Sequence, residues 1–546
     1  MLSPTSISSS DHPRPANAPP ADEPRPALDL ASGLRRLAGI TLTLIAIAGV
    51  TYFVPSFERV RPWVAGEGVP VIRLFTGEAK QAELPDFQGS AVAALANPDS
   101  PLDFVPEIPE FEETAPMPTP GNDNSHTPDR PTPAAKPAVS TPAAATGDSP
   151  RHAAATPKEK EHATGGGHSN VRPIEHAEHM TAFYAALART SKREPNAITR
   201  IAHYGDSSIA ADAIASTARR RLQQRLGDSG HGFMLTAKSN MFYGHRDISH
   251  SESSGWQLAS IVRKQSKSGE YGYGGIAYTG QPGQYTQFGT STRGPIGHAV
   301  SRFEVFYQKF PEGGELGLTI DDGVERTIQT QGDTQDAWEV VKVPEGEHSL
   351  TVRARGQIRM YGVALERAAP GVVYDSLGLV GARAVHLLNA DPKHIAGQIR
   401  HRDPDLLVLG FGGNEAGNDK LNMQNYAATL TKVIKLMRAG KPEMSCLLFG
   451  PLDQGERNAR GDIQTLTSLP GIVDVQRQVS KEQGCAFFDT YKAMGGYNSV
   501  GRWYNARPRL FGPDLRHATP TGYGVIGDMY YQALMKSFAD YLALPH

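Results

Sequence analysis

From about residue 173 the chain alternates short apolar runs with helix-period segments, and one long central stretch breaks that alternation. HMTAFYAALART reads as a helix, ITRIAHYGDSS as a strand entering a turn, and SIAADAIASTARRRLQQRLG as a second helix. In that helix Ile214, Ala218, Leu222 and Leu226 recur every four residues, and Gly227 supplies the stop. Past residue 368 the rhythm resumes: strand DLLVLGFGG, helix QNYAATLTKVIKLMRAG, strand MSCLLFGPLD, a helix near VDVQRQVSKEQG, strand AFFDTY and a closing helix TGYGVIGDMYYQALMKSFADYL. Such alternation predicts an α/β fold, a parallel sheet with helices on both faces. Residues 249–367 instead hold HAVSRFEVFYQKF, GELGLTIDD, AWEVVKV, HSLTVRAR and IRMYGVALER, divided by Gly, Asp and Glu turns. They predict an all-β insertion, a sandwich or jelly roll. The α/β unit is then discontinuous, 173–248 and 368–546, and the ends of the insertion should meet near the carboxyl edge of the sheet.

What precedes residue 173 has another character. Residues 1–36 are polar and rich in Pro, Ala and Ser, which predicts a disordered cytoplasmic tail. Residues 37–54 carry no charge, the lower limit of a membrane-spanning helix, and Arg35 and Arg36 precede them. No small-x-small cleavage site follows in TYFVPSFERV, so a single-pass inner-membrane anchor is expected rather than a removed leader. Arg59 and Arg61 lie beyond the run, so charge alone does not orient it. Residues 55–96 form a juxtamembrane segment, and the Pro/Ala/Thr-rich residues 97–172 a disordered tether. The folded unit is thereby expected in the periplasm.

With a formal net charge of -2, the chain lacks the positive field that nucleic-acid binding requires, and no nucleic-acid partner is expected. Cys446 and Cys485, the two cysteines, both sit in apolar strand-like runs, and sequence leaves open whether they are bonded. No Cys/His cluster has metal-binding spacing, and no metal site is expected.

Gly205-Asp206-Ser207 falls where a strand hands over to a helix. A serine there stands at the carboxyl edge of the sheet, where open α/β folds bind ligands, and its own N–H can face an oxyanion. A second copy ending at Ser229 follows a helix and reads as a turn, and a third, ending at Ser149, lies in the tether. A serine nucleophile needs a base. Asp514-Leu515-Arg516-His517 offers one: a histidine with a carboxylate three residues away to fix its tautomer. Asn414, in the GGNE that follows DLLVLGF, carries an amide able to donate to an oxyanion, and SLGLVGARA places Gly378 and Gly381 after another strand.

The ordered set of Ser, Gly, Asn and Asp-x-x-His, each at a strand end, resembles the SGNH/GDSL hydrolase family. In HYGDSS, Ser208 stands where the family usually has leucine; in GGNE, Glu415 stands where it often has aspartate; and DLRHATP lacks the frequent leucine after the histidine. The resemblance covers about residues 173–248 and 368–546 and implies an SGNH-type, flavodoxin-like sheet. It implies a serine esterase with Ser207, Asp514 and His517 as catalytic triad. The oxyanion hole would come from Ser207, Asn414 and Gly381, with Gly378 as the alternative glycine. No cofactor is implied. Anchored bacterial members with a β-sandwich resemble peptidoglycan and polysaccharide O-acetylesterases, which makes an acylated envelope glycan the expected substrate. An O-acetyltransferase with the same triad, and a catalytically silent carbohydrate-binding protein, are the alternatives. Trp256, Tyr271, Tyr273, Tyr278, Trp338 and Tyr361 of the insertion are candidates either for sugar stacking or for core.

Overall fold

The computed structural model describes residues 171–545. The expected tail, anchor and juxtamembrane segment, and all but the end of the tether, lie outside the described residues. Among those described, no helix is long and apolar enough to cross a membrane.

In chain order, α1 (Thr181–Ser191), β1 (Ile198–Gly205), α2 (Ser207–Ala210) and α3 (Ala213–Leu226) come first. The β-rich stretch follows with β2 (Gly232–Leu235), β3 (Ser249–Glu252), β4 (Gln257–Ser260), β5 (Ile276–Gly280), β6 (Tyr285–Gly289) and β7 (Val300–Lys309). It continues with β8 (Glu315–Ile320), β9 (Arg326–Gln329), β10 (Gln335–Gly346), β11 (Ser349–Ala354) and β12 (Ile358–Glu366). Then come β13 (Gly371–Gly378), α4 (Pro392–Arg402), β14 (Leu406–Gly410), α5 (Gly413–Ala416), α6 (Met423–Arg438) and β15 (Ser445–Phe449). A short hairpin of β16 (Gly455–Arg457) and β17 (Ile463–Thr465) precedes α7 (Leu469–Glu482), β18 (Ala486–Phe488), α8 (Thr490–Ala493), α9 (Ser499–Asn505) and α10 (Pro520–Leu542).

The first sheet has the order β13-β1-β14-β15-β18 and is parallel throughout. With the intervening β stretch set aside, this is the flavodoxin-like order, and strand succession reverses at β1, so the binding crevice opens at its carboxyl end. One face packs against α1, α3 and α10: Phe183, Ile214, Leu222 and Tyr530 meet Ile201, Tyr374, Val408 and Phe449, all buried. The predicted four-residue repeat in α3 is this inward face. The opposite face is shared. Leu430, Val433 and Met437 of α6 and Ile399 of α4 cover part of it, and Phe233, Tyr273 and Phe306 from the β stretch cover the rest. Cys446 of β15 and Cys485, just before β18, are joined by a disulfide. The register of these strands pairs Leu447 with Ala486, so the two sulfurs come from the neighbouring pair of positions.

The β stretch is a two-sheet sandwich. One sheet runs β10-β7-β12-β5-β4, with β2 also on β12, and the other β3-β6-β11-β8-β9. Phe303, Val305, Leu318, Val352 and Val363 fill the space between them. Two expectations need correction. Strand pairing starts at Gly232, not at residue 249, because β2 runs antiparallel to β12. The chain leaves the parallel sheet and returns to it at the amino end, where Asp228 bridges Val372 near the start of β13, while the stretch before residue 249 does pass the carboxyl edge, Gly244 N–H donating to Ala210 O at 3.3 Å. β2 is short and apolar, and sequence alone cannot distinguish its antiparallel partner from one in the parallel sheet.

A buried ionic network spans the seam between sandwich and parallel sheet. Glu366 of β12 accepts from Arg200 of β1 and from Arg402 of α4, and Arg302 of β7 joins at 3.0 Å. Arg402 also forks onto Asp375 of β13, with both bonds at 2.8 Å. Asp375 further accepts Phe233 N–H at 2.8 Å and the Tyr273 hydroxyl at 2.9 Å. Although burial opposes it, the two arginines hold the Glu366 carboxyl far below the usual carboxylate range.

Candidate active site

Gly205 ends β1 beside Gly378 at the end of β13. A Cβ at Gly205 would lie 2.4 Å from Ile209 Cγ1, and one at Gly378 would lie 2.2 Å from Ala210 N. Helix α2 therefore rests directly on the two strand ends, and only glycine permits this approach. Asp206 caps α2, its Oδ1 accepting Ser208 N–H at 2.9 Å and Ser208 Oγ–H at 2.8 Å. Ser208 thus fastens the aspartate before the nucleophile position. Ser207, the first residue of α2, is delivered to the carboxyl edge of the sheet.

The other half of the site is the loop before α10. Gly512 N–H donates to His517 O at 2.7 Å, which closes the loop, and Leu515 adopts φ 55° inside it. Asp514 Oδ1 accepts the N–H groups of Arg516 and His517, each at 3.1 Å. Its Oδ2 lies 2.7 Å from His517 Nδ1, and His517 Nε2 lies 2.9 Å from Ser207 Oγ. An ionised carboxylate only accepts, so the ring proton belongs on Nδ1, and Nε2 is left to accept from the serine. Desolvation works against the Asp514 charge, but the His517 ring and the two main-chain donors hold its carboxyl below the usual range. The structure thus brings together three residues that span 310 positions of sequence.

Asn414 sits on α5, just after β14, and its Nδ2 donates to Ala382 O at 2.8 Å. Next to it, Glu415 accepts Ala384 N–H at 2.9 Å and Gly412 N–H at 3.1 Å. The two side chains tie the loop after β13 to the loop after β14. Burial pushes the Glu415 carboxyl up to about 7; the Ala384 N–H opposes this and the nearby Asp206 charge adds to it. Gly381 lies on an exposed turn at φ 76°, one residue before the carbonyl that Asn414 holds. It is outside the lining of the pocket at Ser207, and Gly378 is packed under α2.

That pocket has a volume of about 310 Å³. Ser207, Asn414 and His517 line it together with Phe411, Phe449 and Arg516. The apolar side suits a small acyl group, and the serine–histidine pair faces the same space. The arrangement can run nucleophilic acyl transfer: a hydroxyl, a base oriented by a carboxylate, and an amide close by. Sequence reasoning passed over Arg516, although it lies inside the Asp-x-x-His motif, and over Glu415 as a brace between two loops. The first was hidden by its neighbours, and the second needs the fold to bring Ala384 beside Gly412.

Other candidates fall away from the site. Ser229 is fully buried and donates to Ala369 O. Tyr271, Tyr273, Tyr278 and Tyr361 are buried in the core, which removes them as sugar platforms. Trp338 is half-buried, its ring stacked on His401 at 3.8 Å between centroids. Trp256 is half-buried too, with its ring N–H on Tyr285 O at 3.2 Å.

Residues 346–525 match the GDSL-like Lipase/Acylhydrolase family. The matched stretch holds Asn414, Asp514 and His517, and Ser207 precedes it. Comparison with curated proteins gave no match. Among solved structures, a peptidoglycan O-acetylesterase is similar with a TM-score of 0.56 and 21% identity, covering 66% of this chain and 96% of that one. A family two carbohydrate esterase from Cellvibrio japonicus aligns with a TM-score of 0.23 and 10% identity over 54% of this chain and 99% of its own. A salicylyl-acyltransferase from a tetracycline biosynthetic pathway aligns with a TM-score of 0.25 and 16% identity over 54% and 96%.

Proposed function

We propose that this chain, a serine ester hydrolase resembling the SGNH/GDSL enzymes, removes O-acetyl groups from a cell-envelope glycan such as peptidoglycan. The observation that carries the reading is the continuous hydrogen-bonded line from Ser207 through His517 to Asp514 at the mouth of a small, half-apolar pocket. In the proposed reaction His517 takes the Ser207 proton as Oγ attacks the ester carbonyl, and Asp514 steadies the imidazolium. The N–H of Ser207 and the amide of Asn414 receive the oxyanion. The His517 proton then passes to the leaving sugar oxygen. Water, with its proton drawn to His517, cleaves the acyl-enzyme and releases acetate. No step calls for a metal or organic cofactor.

The half-exposed His517 and Asp514 support a large substrate, since a polymer must reach the triad from outside. The proposed location is outside the cytoplasm, held to the inner membrane by residues 37–54. The Cys446–Cys485 disulfide supports it, because such bonds persist in oxidising compartments. The test is twofold. A fluorophosphonate probe should label Ser207, and O-acetylated peptidoglycan should release acetate. An intact protein that takes up label yet releases no acetate from any acetylated glycan would refute the substrate assignment. Acetate passed to an added glycan hydroxyl in preference to water would make it a transferase.

A further inference from the structure

We infer that the substrate carries a carboxylate close to the ester, and that Arg516 and the arginines beside it recognise that charge. The inference rests on the proposed glycan esterase reading and deepens it. Arg516 lines the pocket with Ser207 and His517. Its Nη1 is buried without a hydrogen-bond partner. Among the described residues no carboxylate lies within ion-pair distance of this guanidinium, and the adjacent Asp514 is engaged by His517. A partly buried cation without a counter-charge is unfavourable until an anion arrives, and guanidinium binds carboxylate in a fork. In contrast, the buried arginines of the seam and of α3 are matched by carboxylates, as with Arg402 on Asp375 and Arg219 on Asp212.

The charge continues outward along two segments fastened to the His517 loop. Gly455 N–H donates to Leu515 O at 2.9 Å, which pins the β16–β17 hairpin there. Thr519 Oγ1 donates to Arg509 O at 2.9 Å, which pins the chain after α9. The Tyr504 ring lies between them, with the Arg509 guanidinium 4.3 Å from its centroid and that of Arg457 5.6 Å away. Arg457 and Arg509 are exposed and neither forms an ion pair among the described residues. Residues 453–465 and 495–519 hold six arginines against Asp453, Glu456, Asp462 and Asp514, in a chain whose formal net charge is -2. The excess of positive charge is thus local to the site, where it draws in and orients an anionic polymer. Uronate residues, the free carboxyls of peptidoglycan's peptides and a lactyl group freed of its peptide present the same group.

The test compares kcat/KM for acetate release from three polymers: neutral acetylated xylan, an O-acetylated polyuronate and O-acetylated peptidoglycan. At low salt the wild-type protein should favour one or both anionic polymers, and raising ionic strength should lower those rates several-fold while sparing xylan. Arg516→Gln should cut the anionic-to-neutral ratio by about 10-fold or more, in line with a lost charged contact. Arg326→Gln, on the far sheet of the sandwich, should leave the ratio unchanged. Which anionic polymer responds identifies the source of the carboxylate. Equal efficiency on neutral and anionic polymers, or an Arg516→Gln variant that loses both in proportion, would overturn the inference and leave the esterase reading standing. An enzyme active on p-nitrophenyl acetate but on none of the three polymers would overturn both.

Discussion

The side-chain amide of Asn414 donates to the main-chain carbonyl of Ala382 across a gap between two sheet-end loops. One amide hydrogen is thereby spent on fixing the residue's position, and in the proposed reaction the other donates to the developing oxyanion. Asn414→Ala should lower kcat by on the order of 10²–10³ with KM little changed, the pattern of a donor that acts in the transition state. Steady-state kinetics on p-nitrophenyl acetate check this. A change confined to KM would show that Asn414 holds ground-state substrate instead.

Two serines share the same tripeptide and differ in place. Ser207→Ala should abolish turnover, since among the described residues no other hydroxyl is set against His517 Nε2. Ser229→Ala should keep turnover and lose only its buried bond to Ala369, about 1 kcal/mol in a denaturant titration. Comparable loss of turnover in both folded variants would reject the assignment.

Glu415 sets a pH dependence of stability. Its folded-state value near 7 lies above the ordinary value of 4.5, so the folded protein holds this proton more tightly than the unfolded chain does. That contribution is full below about 4.5, fades as pH rises, and is gone above about 7. Over that window the wild type should lose on the order of 3 kcal/mol relative to Glu415→Gln, whose side chain does not titrate. Chemical denaturation of both proteins at pH 5 and pH 8 measures the difference. Parallel behaviour would mean that Glu415 is ionised throughout.

Arg402→Met should destabilise the fold by about 3–5 kcal/mol, because Asp375 would be left buried with its charge unmatched, while Glu366 keeps Arg200 and Arg302. Neutralising that carboxylate as well, in Arg402→Met/Asp375→Asn, should recover part of the loss. Melting curves of the single and double variants decide it, and a single variant as stable as the wild type would refute the role of the network.

Cys446 and Cys485 close a loop of 39 residues. Replacing both with alanine should lower stability by about 4 kcal/mol in a chain-entropy account, with activity at 25 °C retained. Denaturation of oxidised and double-variant protein checks it, and equal midpoints would mean that the bond contributes nothing.

Local signals made much of this legible beforehand. The repeat in α3, the apolar runs at β14 and β15, and the strand-to-helix handover at Ser207 each depend on a few neighbouring residues, and each lies where the pattern indicated. The Asp-x-x-His spacing was legible for the same reason: one loop supplies both groups. What escaped depended on distant partners. β2 belongs to the sandwich only because β12, more than 120 residues later, pairs with it. Alternation in the insertion already favoured core for its tyrosines; what it could not reveal is that the parallel sheet is the partner that buries them. Arg516 gained meaning only when β16–β17 and the chain after α9 gathered around it.

The seam has a further consequence. Tyr204 of β1 donates its hydroxyl to Tyr273 O at 2.8 Å, and the same apolar cluster holds Phe306 on one side and Leu409 on the other. A sandwich that merely hung from the sheet could be gained, lost or exchanged between proteins as a cassette. This one supplies part of the sheet's own cover, so its removal would bare Tyr204 and Leu377 to water. The pair should melt in a single calorimetric transition, and a substitution on one side of the seam should be rescued only by a matching change on the other.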